Sequence, residues 1–362
     1  MLERTIRKGG LRTGELMRIL EVPDSPHVYL RRLRQGLSER GHIVDEAPFP
    51  YLRWPGNTVK FMRQFLRHHD LIHLHWSIFD SLTAARLFFS TKTPKIWTVH
   101  NLAPHVPLLR DDLLASHAYL DGVDIAVWHS ERSIDEARRR FGARGLPETW
   151  NAKNRVIPLM SFNGIWPDTV SHDEARRRIG VEGDVPVVGH FAPTQPYKGT
   201  RRFLDVMSRI ARPDIVYCIF GACHDSSLGQ EIRAAAAANP NLRIHVVGLA
   251  DDELQYWFKA CNVVVQPYTE ITTSGSIFFP IAFKTPVIAS PLGNIPDVIQ
   301  HRVTGWLADD TESLAGCIQE ALSDPEAARA IGERAHRFVD QTANIDLVTE
   351  AHIRAYEAAL GR

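Results

Sequence analysis

From Met17 onward, short apolar runs alternate with stretches whose apolar positions recur every three to four residues. The runs "MRILEVP", "HIVDEAPF", "LIHLHW", "KIWTVHN", "VDIAVWHS" and "RVIPLM" read as strands. Between them "YLRRLRQGLSERG", "FMRQFLRHHD" and "SLTAARLFF" read as helices with one apolar face. Such alternation builds a parallel sheet with helices on both sides. After the loop "SFNGIWPDTV" the pattern restarts with the capped helix "SHDEARRRIG" and the strands "VPVVGHF", "DIVYCIFG", "LRIHVVG", "NVVVQPY" and "PVIAS". The expected architecture is α/β, with two facing Rossmann-like doubly wound domains. An extension over 1–16 precedes a first domain over 17–165. A second domain follows over 166–345, and a C-terminal helix over 346–362 packs back toward the first. Open parallel sheets bind ligands beyond the carboxyl ends of their strands, so two facing sheets would share an active site in the interdomain cleft.

Composition narrows the function classes. A length of 362 residues suits two cores rather than one, and 44% apolar with 23% charged residues is ordinary for a soluble globular chain. Through residue 170 the chain has 24 Lys and Arg against 18 Asp and Glu, which leaves 18 against 24 of the 42 of each sign. That asymmetry is too mild for a nucleic-acid binder, but it suits a first half facing anionic lipid or a phosphorylated acceptor. Cys218, Cys223, Cys261 and Cys317 lack the paired spacing of a zinc site or disulfide framework, and a reducing cytoplasm is the plain expectation. No run of 18 apolar residues is present, so any membrane contact is expected to be peripheral.

Several short segments carry candidate chemistry. In "PTQPYKGTRRF", Lys198 follows a turn and opens a helix, where backbone N–H groups and the helix dipole favour an anion. "TTSGS" (272–276) lies between a strand and the apolar stretch "IFFPIAF"; its hydroxyls and N–H groups suit phosphate or sugar oxygens, and equally an N-cap. His100 stands just past the apolar run "KIWTV", at the end of a strand. His73 and His75 are two apart on one strand face, and with no third ligand evident they read as packed or hydrogen-bonded rather than metal-binding. Asp24, in "VPDSPHVY", is a candidate general base. "YLRWPGNTVKFMRQFLRHH" interleaves apolar and basic residues at helical spacing, as a lipid-docking segment or an ordinary amphipathic helix would.

Five segments in this order, "PYKG", "DDELQYWFKACNVVVQPY", "TTSGS", "TPVIAS" and "VTGWL", resemble the donor-binding domain of two-domain (GT-B fold) nucleotide-sugar glycosyltransferases, similar to glycosyltransferase family four. The first half agrees more loosely through "MRILEVP", "LIHLHW", "WTVHN" and "VWHSERS". The resemblance implies a hexosyltransferase. It would move a sugar from a GDP-sugar or UDP-sugar to a hydroxyl of a glycan or polyprenyl-diphosphate-linked acceptor, in bacterial exopolysaccharide or cell-surface glycan synthesis. No metal and no tightly bound cofactor is implied. It places Lys198 on the donor diphosphate and His100 beside the transferred sugar. Gly221, Tyr268, Thr273, Ser274, Gly275 and Ser276 join the donor side, with His190 as a candidate second cation where family members carry an arginine a few residues before the lysine. The family's two glutamates would fall at Ile271 and Phe279. Here Glu270 lies one residue early and is the candidate catalytic carboxylate, with His100 or Asp24 on the acceptor side; Phe279 reads as core. A sugar-nucleotide epimerase, a phosphorylase or a non-catalytic nucleotide-sugar sensor remain the alternatives on the same double fold.

Overall fold

The computed structural model describes residues 15–51, 54–76, 79, 81–102, 112–142, 146, 149–192, 195–210 and 212–361. Nearly all of the expected 1–16 extension lies outside these residues. The chain divides into two compact units, the first made of Met1–Met160 with Ile345–Arg362 and the second of Ser161–Asn344. The division falls after Met160, where the loop pattern had placed it after residue 165.

The first unit is a six-stranded parallel sheet formed by β1 (Arg18–Val22), β2 (Ile43–Glu46), β3 (Leu71–His75), β4 (Lys95–Thr98), β5 (Ile125–Trp128) and β6 (Asn154–Val156). Its order is β2-β1-β3-β4-β5-β6. β3, β4 and β5 are buried along their whole length, and the polar residues they carry, such as His73, His75 and Thr98, are buried with them. The register sets Glu21 of β1 beside His73 of β3, and His75 beside Thr98 of β4. Polar side chains therefore gather where these strands end. The helix Ile345–Ala359 closes this unit: Tyr356 Oη lies 2.9 Å from His73 Nδ1, and Tyr29 Oη lies 2.7 Å from His352 Nε2. Gly36 lets that helix approach, since a Cβ there would stand 2.1 Å from the Thr349 hydroxyl.

The second unit repeats the plan with β7 (Val187–Phe191), β8 (Val216–Phe220), β9 (Leu242–His245), β10 (Val263–Gln266), β11 (Val287–Ala289) and β12 (Trp306–Leu307), in the order β12-β11-β10-β7-β8-β9. Between β7 and β8 runs the helix Thr200–Arg209, entered through a 3₁₀ turn at Pro196–Lys198 and the left-handed Gly199, φ 79°. No other residue fits at 199, because a Cβ would fall 1.8 Å from the Pro267 carbonyl oxygen. That close approach joins the Lys198 turn to the end of β10, and Thr269 N donates to the Tyr197 carbonyl at 3.0 Å.

Candidate functional site

In the second unit the sequence-singled residues around Lys198 come together at the ends of β7 and β10. Lys198 is only 7% exposed. Its Nζ donates to Ser276 Oγ at 2.7 Å and lies 5.1 Å and 5.5 Å from the Tyr268 and Tyr197 ring centroids. Burial pushes its pKa below the ordinary lysine value, and among the described residues no carboxylate pairs with it. Hydroxyl and ring-face contacts compensate a buried ammonium only partly.

The loop facing it is held rigid by its own hydrogen bonds. Ser274 Oγ donates to Tyr268 Oη at 2.7 Å, and Ser274 N donates to Asn294 Oδ1 at 2.7 Å. Burial pushes the Tyr268 phenol up to about 12, so it stays a neutral hydrogen-bonding group. Thr273 Oγ1 is buried without a hydrogen-bond partner among the described residues, while Gly275 and Ser276 are half-buried. The following helix is a single turn, Phe278–Ala282, rather than the full apolar helix expected, so a helix dipole adds little there. Gly221 follows β8 with φ 96°, its N–H donating to the His245 carbonyl at 2.9 Å. Arg202, which the sequence reading passed over, lies one turn into the helix after Lys198 and donates to the Tyr268 carbonyl at 3.3 Å.

One sequence expectation here needs correction, and the reading of Phe279 as core keeps its place. His190 does not supply a second positive charge: it is fully buried, Nδ1 donates to the Val265 carbonyl at 2.9 Å and Nε2 accepts from Thr200 Oγ1 at 2.9 Å. Burial lowers its pKa to about 4, so the ring is neutral and serves to anchor the first residue of the helix Thr200–Arg209. Phe279 stands in an aromatic nest, stacked on Trp166 at 4.5 Å and edge-on to Phe162 at 5.6 Å, with Phe191 at 4.9 Å. Glu270 is exposed at the head of the loop.

In the first unit His100 is buried at the carboxyl edge of the sheet, with both ring nitrogens facing other histidines. Nε2 lies 3.1 Å from His75 Nδ1, and Nδ1 lies 3.2 Å from His129 Nε2. Trp76, in the left-handed region at φ 60°, stacks on its face at 4.6 Å. Asp24 is exposed nearby in sequence on the loop after β1, and its N–H donates to the Ala47 carbonyl at 2.9 Å. Glu21 brings a carboxylate to His73 and His75, a neighbour the sequence did not disclose. Both nitrogens of His73 already face hydroxyls, Thr98 at 2.8 Å and Tyr356 at 2.9 Å, so the trio reads as a hydrogen-bonded set rather than a metal centre.

Residues 183–324 match the family model described as "Glycosyl transferases group 1". A GDP-mannose:glycolipid 4-beta-D-mannosyltransferase from Xanthomonas campestris is 24% identical over 322 residues, covering 82% of this chain and 82% of its own length. A D-inositol 3-phosphate glycosyltransferase from Segniliparus rotundus is 25% identical over 363 residues, covering 88% and 75%. Among solved structures, the sucrose-phosphate synthase of Thermosynechococcus elongatus superposes with a TM-score of 0.76 at 20% identity, over 95% of this chain and 99% of that one. Anabaena HepE in complex with UDP-glucose superposes with a TM-score of 0.71 at 16% identity, over 93% and 98%. The chain is a glycosyltransferase of the GT-B fold. In this transferase, then, the match to the family model covers most of the unit that holds Lys198 and "TTSGS", the segments through which the sequence resemblance ran most strongly. The histidines of the first unit lie outside it and rest on geometry alone.

Proposed function

We propose that this transferase moves a hexose from a nucleoside-diphosphate sugar to a hydroxyl of a glycan or lipid-linked glycan, in the synthesis of a bacterial exopolysaccharide or surface glycan. The observation that carries this reading is Lys198, a buried ammonium whose near partners are a hydroxyl and two aromatic rings. As the glycosidic bond breaks, negative charge builds on the leaving diphosphate; a preorganised cation in a dry setting stabilises that charge most. Ser276, Thr273 and the N–H groups of the loop add donors, and Gly221 and Gly275 leave room for backbone to approach. Lys198 and the loop donors neutralise the leaving group without a metal ion. Glu270 is the carboxylate for the donor sugar, and Asp24 and His100, with the group to which His100 is bonded, are the residues for the acceptor hydroxyl. The Xanthomonas relative's name favours a GDP-mannose donor, and UDP-sugars are the second choice.

A lipid-linked acceptor calls for access to a bilayer. The helix Pro55–Phe65 turns Phe61 and Phe65 into the core but leaves Val59, Met62 and Leu66 exposed at 68%, 40% and 76%, beside the exposed Lys60, Arg63 and Arg67. We read this outer face as a peripheral contact with anionic lipid at the cytoplasmic surface. Among the described residues no helix is long and apolar enough to cross a membrane.

The donor assignment is tested by thermal shift with GDP, UDP, ADP and their sugars on wild type and Lys198→Ala. A ligand at 100 times its Kd stabilises by about 2.7 kcal/mol. One diphosphate series is expected to shift wild type and to leave the variant nearly unshifted, with transfer lowered by orders of magnitude. Equal shifts in the two proteins would remove Lys198 from the diphosphate, and no shift with any nucleotide would remove the donor class.

A further inference from the structure

Four side chains and one carbonyl form a row across the carboxyl edge of the first domain's sheet. Glu21 comes from β1, His75 from β3, His100 and His129 from just past β4 and β5, and the carbonyl belongs to Ile157 after β6. Glu21, His75 and His129 are at most 3% exposed, and His100 is 6% exposed. The contacts are Glu21 Oε1 to His75 Nε2 at 3.3 Å, His75 Nδ1 to His100 Nε2 at 3.1 Å, His100 Nδ1 to His129 Nε2 at 3.2 Å, and His129 Nδ1 to the Ile157 oxygen at 3.0 Å. Glu21 Oε1 and His75 Nε2 have no other partner among the described residues.

Counting hydrogens along this row gives a deficit. A carboxylate and a carbonyl only accept, and a neutral imidazole offers one N–H and one lone pair. Three neutral imidazoles bring three hydrogens to four contacts. If the carbonyl fixes each ring as the Nδ1–H tautomer, two lone pairs meet at Glu21 and His75. If every ring flips to Nε2–H, two lone pairs meet at His129 and Ile157. Either conflict would be buried and costly.

We propose that Glu21, His75, His100 and His129 form one proton-binding unit that holds an additional proton between Glu21 and His75, and that its members are positioning residues for His100 in the transfer reaction.

Charge agrees with that placement. Glu21 and Glu46 both pair with Arg34, so two carboxylates face one guanidinium, and one more proton brings the group to neutrality. Burial holds His100 well below the ordinary histidine range and lowers His129 to about 4, which leaves the end of the row next to Glu21 as the place for the charge. From the helices Val28–Glu39 and Ile345–Ala359, Arg34 brings the positive charge already counted, while Tyr29, whose hydroxyl is bonded to His352, and Tyr356, bonded to His73, are neutral in this setting. Burial also lowers His73 and His352, and His27 is lowered to about 4. From His75 the charge can pass to His100 with no heavy atom moving: the N–H bond at His75 Nδ1 breaks, one forms at His100 Nε2, and His75 keeps its Nε2–H toward Glu21. His100 thus becomes a ring that can be either neutral or positive at a fixed position.

The catalytic consequence rests on the functional reading above; the hydrogen count does not. Side-chain ¹⁵N NMR on the full chain with labelled histidine, at neutral pH, is expected to show His75 protonated on both nitrogens and His100 and His129 only on Nδ1, with assignments from single His→Gln variants. In Glu21→Gln the amide supplies the missing hydrogen, so His75 is expected to lose one proton while the row persists. In activity, Glu21→Gln is expected to move the alkaline fall of kcat to lower pH with the donor KM unchanged, because the shared proton loses its carboxylate partner, and Glu21→Ala to lower kcat at least tenfold. Three singly protonated rings in wild type, or a stoichiometric bound metal by elemental analysis, would overturn the shared proton. An intact NMR pattern with an unchanged pH profile in Glu21→Gln would overturn the positioning role, and an intact pattern with no transfer activity at all would fault the functional reading instead.

Discussion

At the scale of single residues, the substitution of an aromatic for an expected carboxylate at 279 is absorbed by packing. Phe279 lies against Trp166, Phe162 and Phe191, so the position contributes apolar area where the resembling family carries charge. Phe279→Glu is expected to destabilise the second domain by a few kcal/mol, because the carboxylate would enter a nest of rings without a donor. Urea unfolding checks this; an unchanged midpoint with tighter nucleotide binding would mean that the side chain turns to the donor instead. Glu270 carries the opposite expectation. If its charge acts on the positive ring character of the transition state, Glu270→Gln lowers kcat and leaves the donor KM nearly unchanged. Steady-state kinetics decide it, and wild-type turnover would remove Glu270 from the reaction. Lys198 was legible because its neighbours "PY" and "G" mark a turn before a helix. The neutrality of His190 was not, since nothing local reveals that Val265 and Thr200, far apart in sequence, take both nitrogens.

At the scale of elements, the strands were legible because burial on both faces leaves short, mostly apolar runs, and the two sheets follow those runs closely. The stretch "IFFPIAF" was read as a longer helix than the single turn Phe278–Ala282, because apolar content marks burial and not helix length. Likewise the segment Pro55–Phe65 has the composition of both a core helix and a lipid-facing one, and the structure divides the residues between the two faces. Phe61 and Phe65 pack inward near Phe88, at 6.1 and 5.5 Å between ring centroids. The outward Met62 and Leu66 can therefore be changed without cost to the core. Met62→Glu with Leu66→Glu is expected to keep the melting temperature and to weaken binding to phosphatidylglycerol vesicles roughly tenfold or more in a flotation assay. Unaltered binding would place the lipid contact elsewhere or nowhere.

At the scale of the whole molecule, the chain's 17 histidines are the main reserve of pH sensitivity near neutrality; among the described residues several are buried in the first domain and His190 is buried in the second. Contacts between distant segments create this reserve, which is why spacing in the sequence did not disclose it: His352 belongs to the last helix yet bonds Tyr29 in the first. Burial holds His73, His100 and His352 well below the ordinary range and brings His129 and His190 to about 4. Each such ring is neutral when folded, whereas in the unfolded chain it takes up a proton near pH 6.5. The unfolded state therefore binds more protons between these values. The stability these rings give is full above about pH 6.5 and is lost as the pH falls toward the folded value. For His190 alone, a shift from 6.5 to about 4 corresponds to roughly 3 kcal/mol over that range. His190→Gln is expected to cost stability at pH 7.5, where the neutral ring anchors Thr200, and to lose less than wild type on acidification, so that the two urea midpoints converge toward pH 4.5. Midpoints that run parallel from pH 7.5 to 4.5 would mean that His190 is not the source of the acid sensitivity, and that its ring takes up a proton in the folded domain as readily as in the unfolded chain.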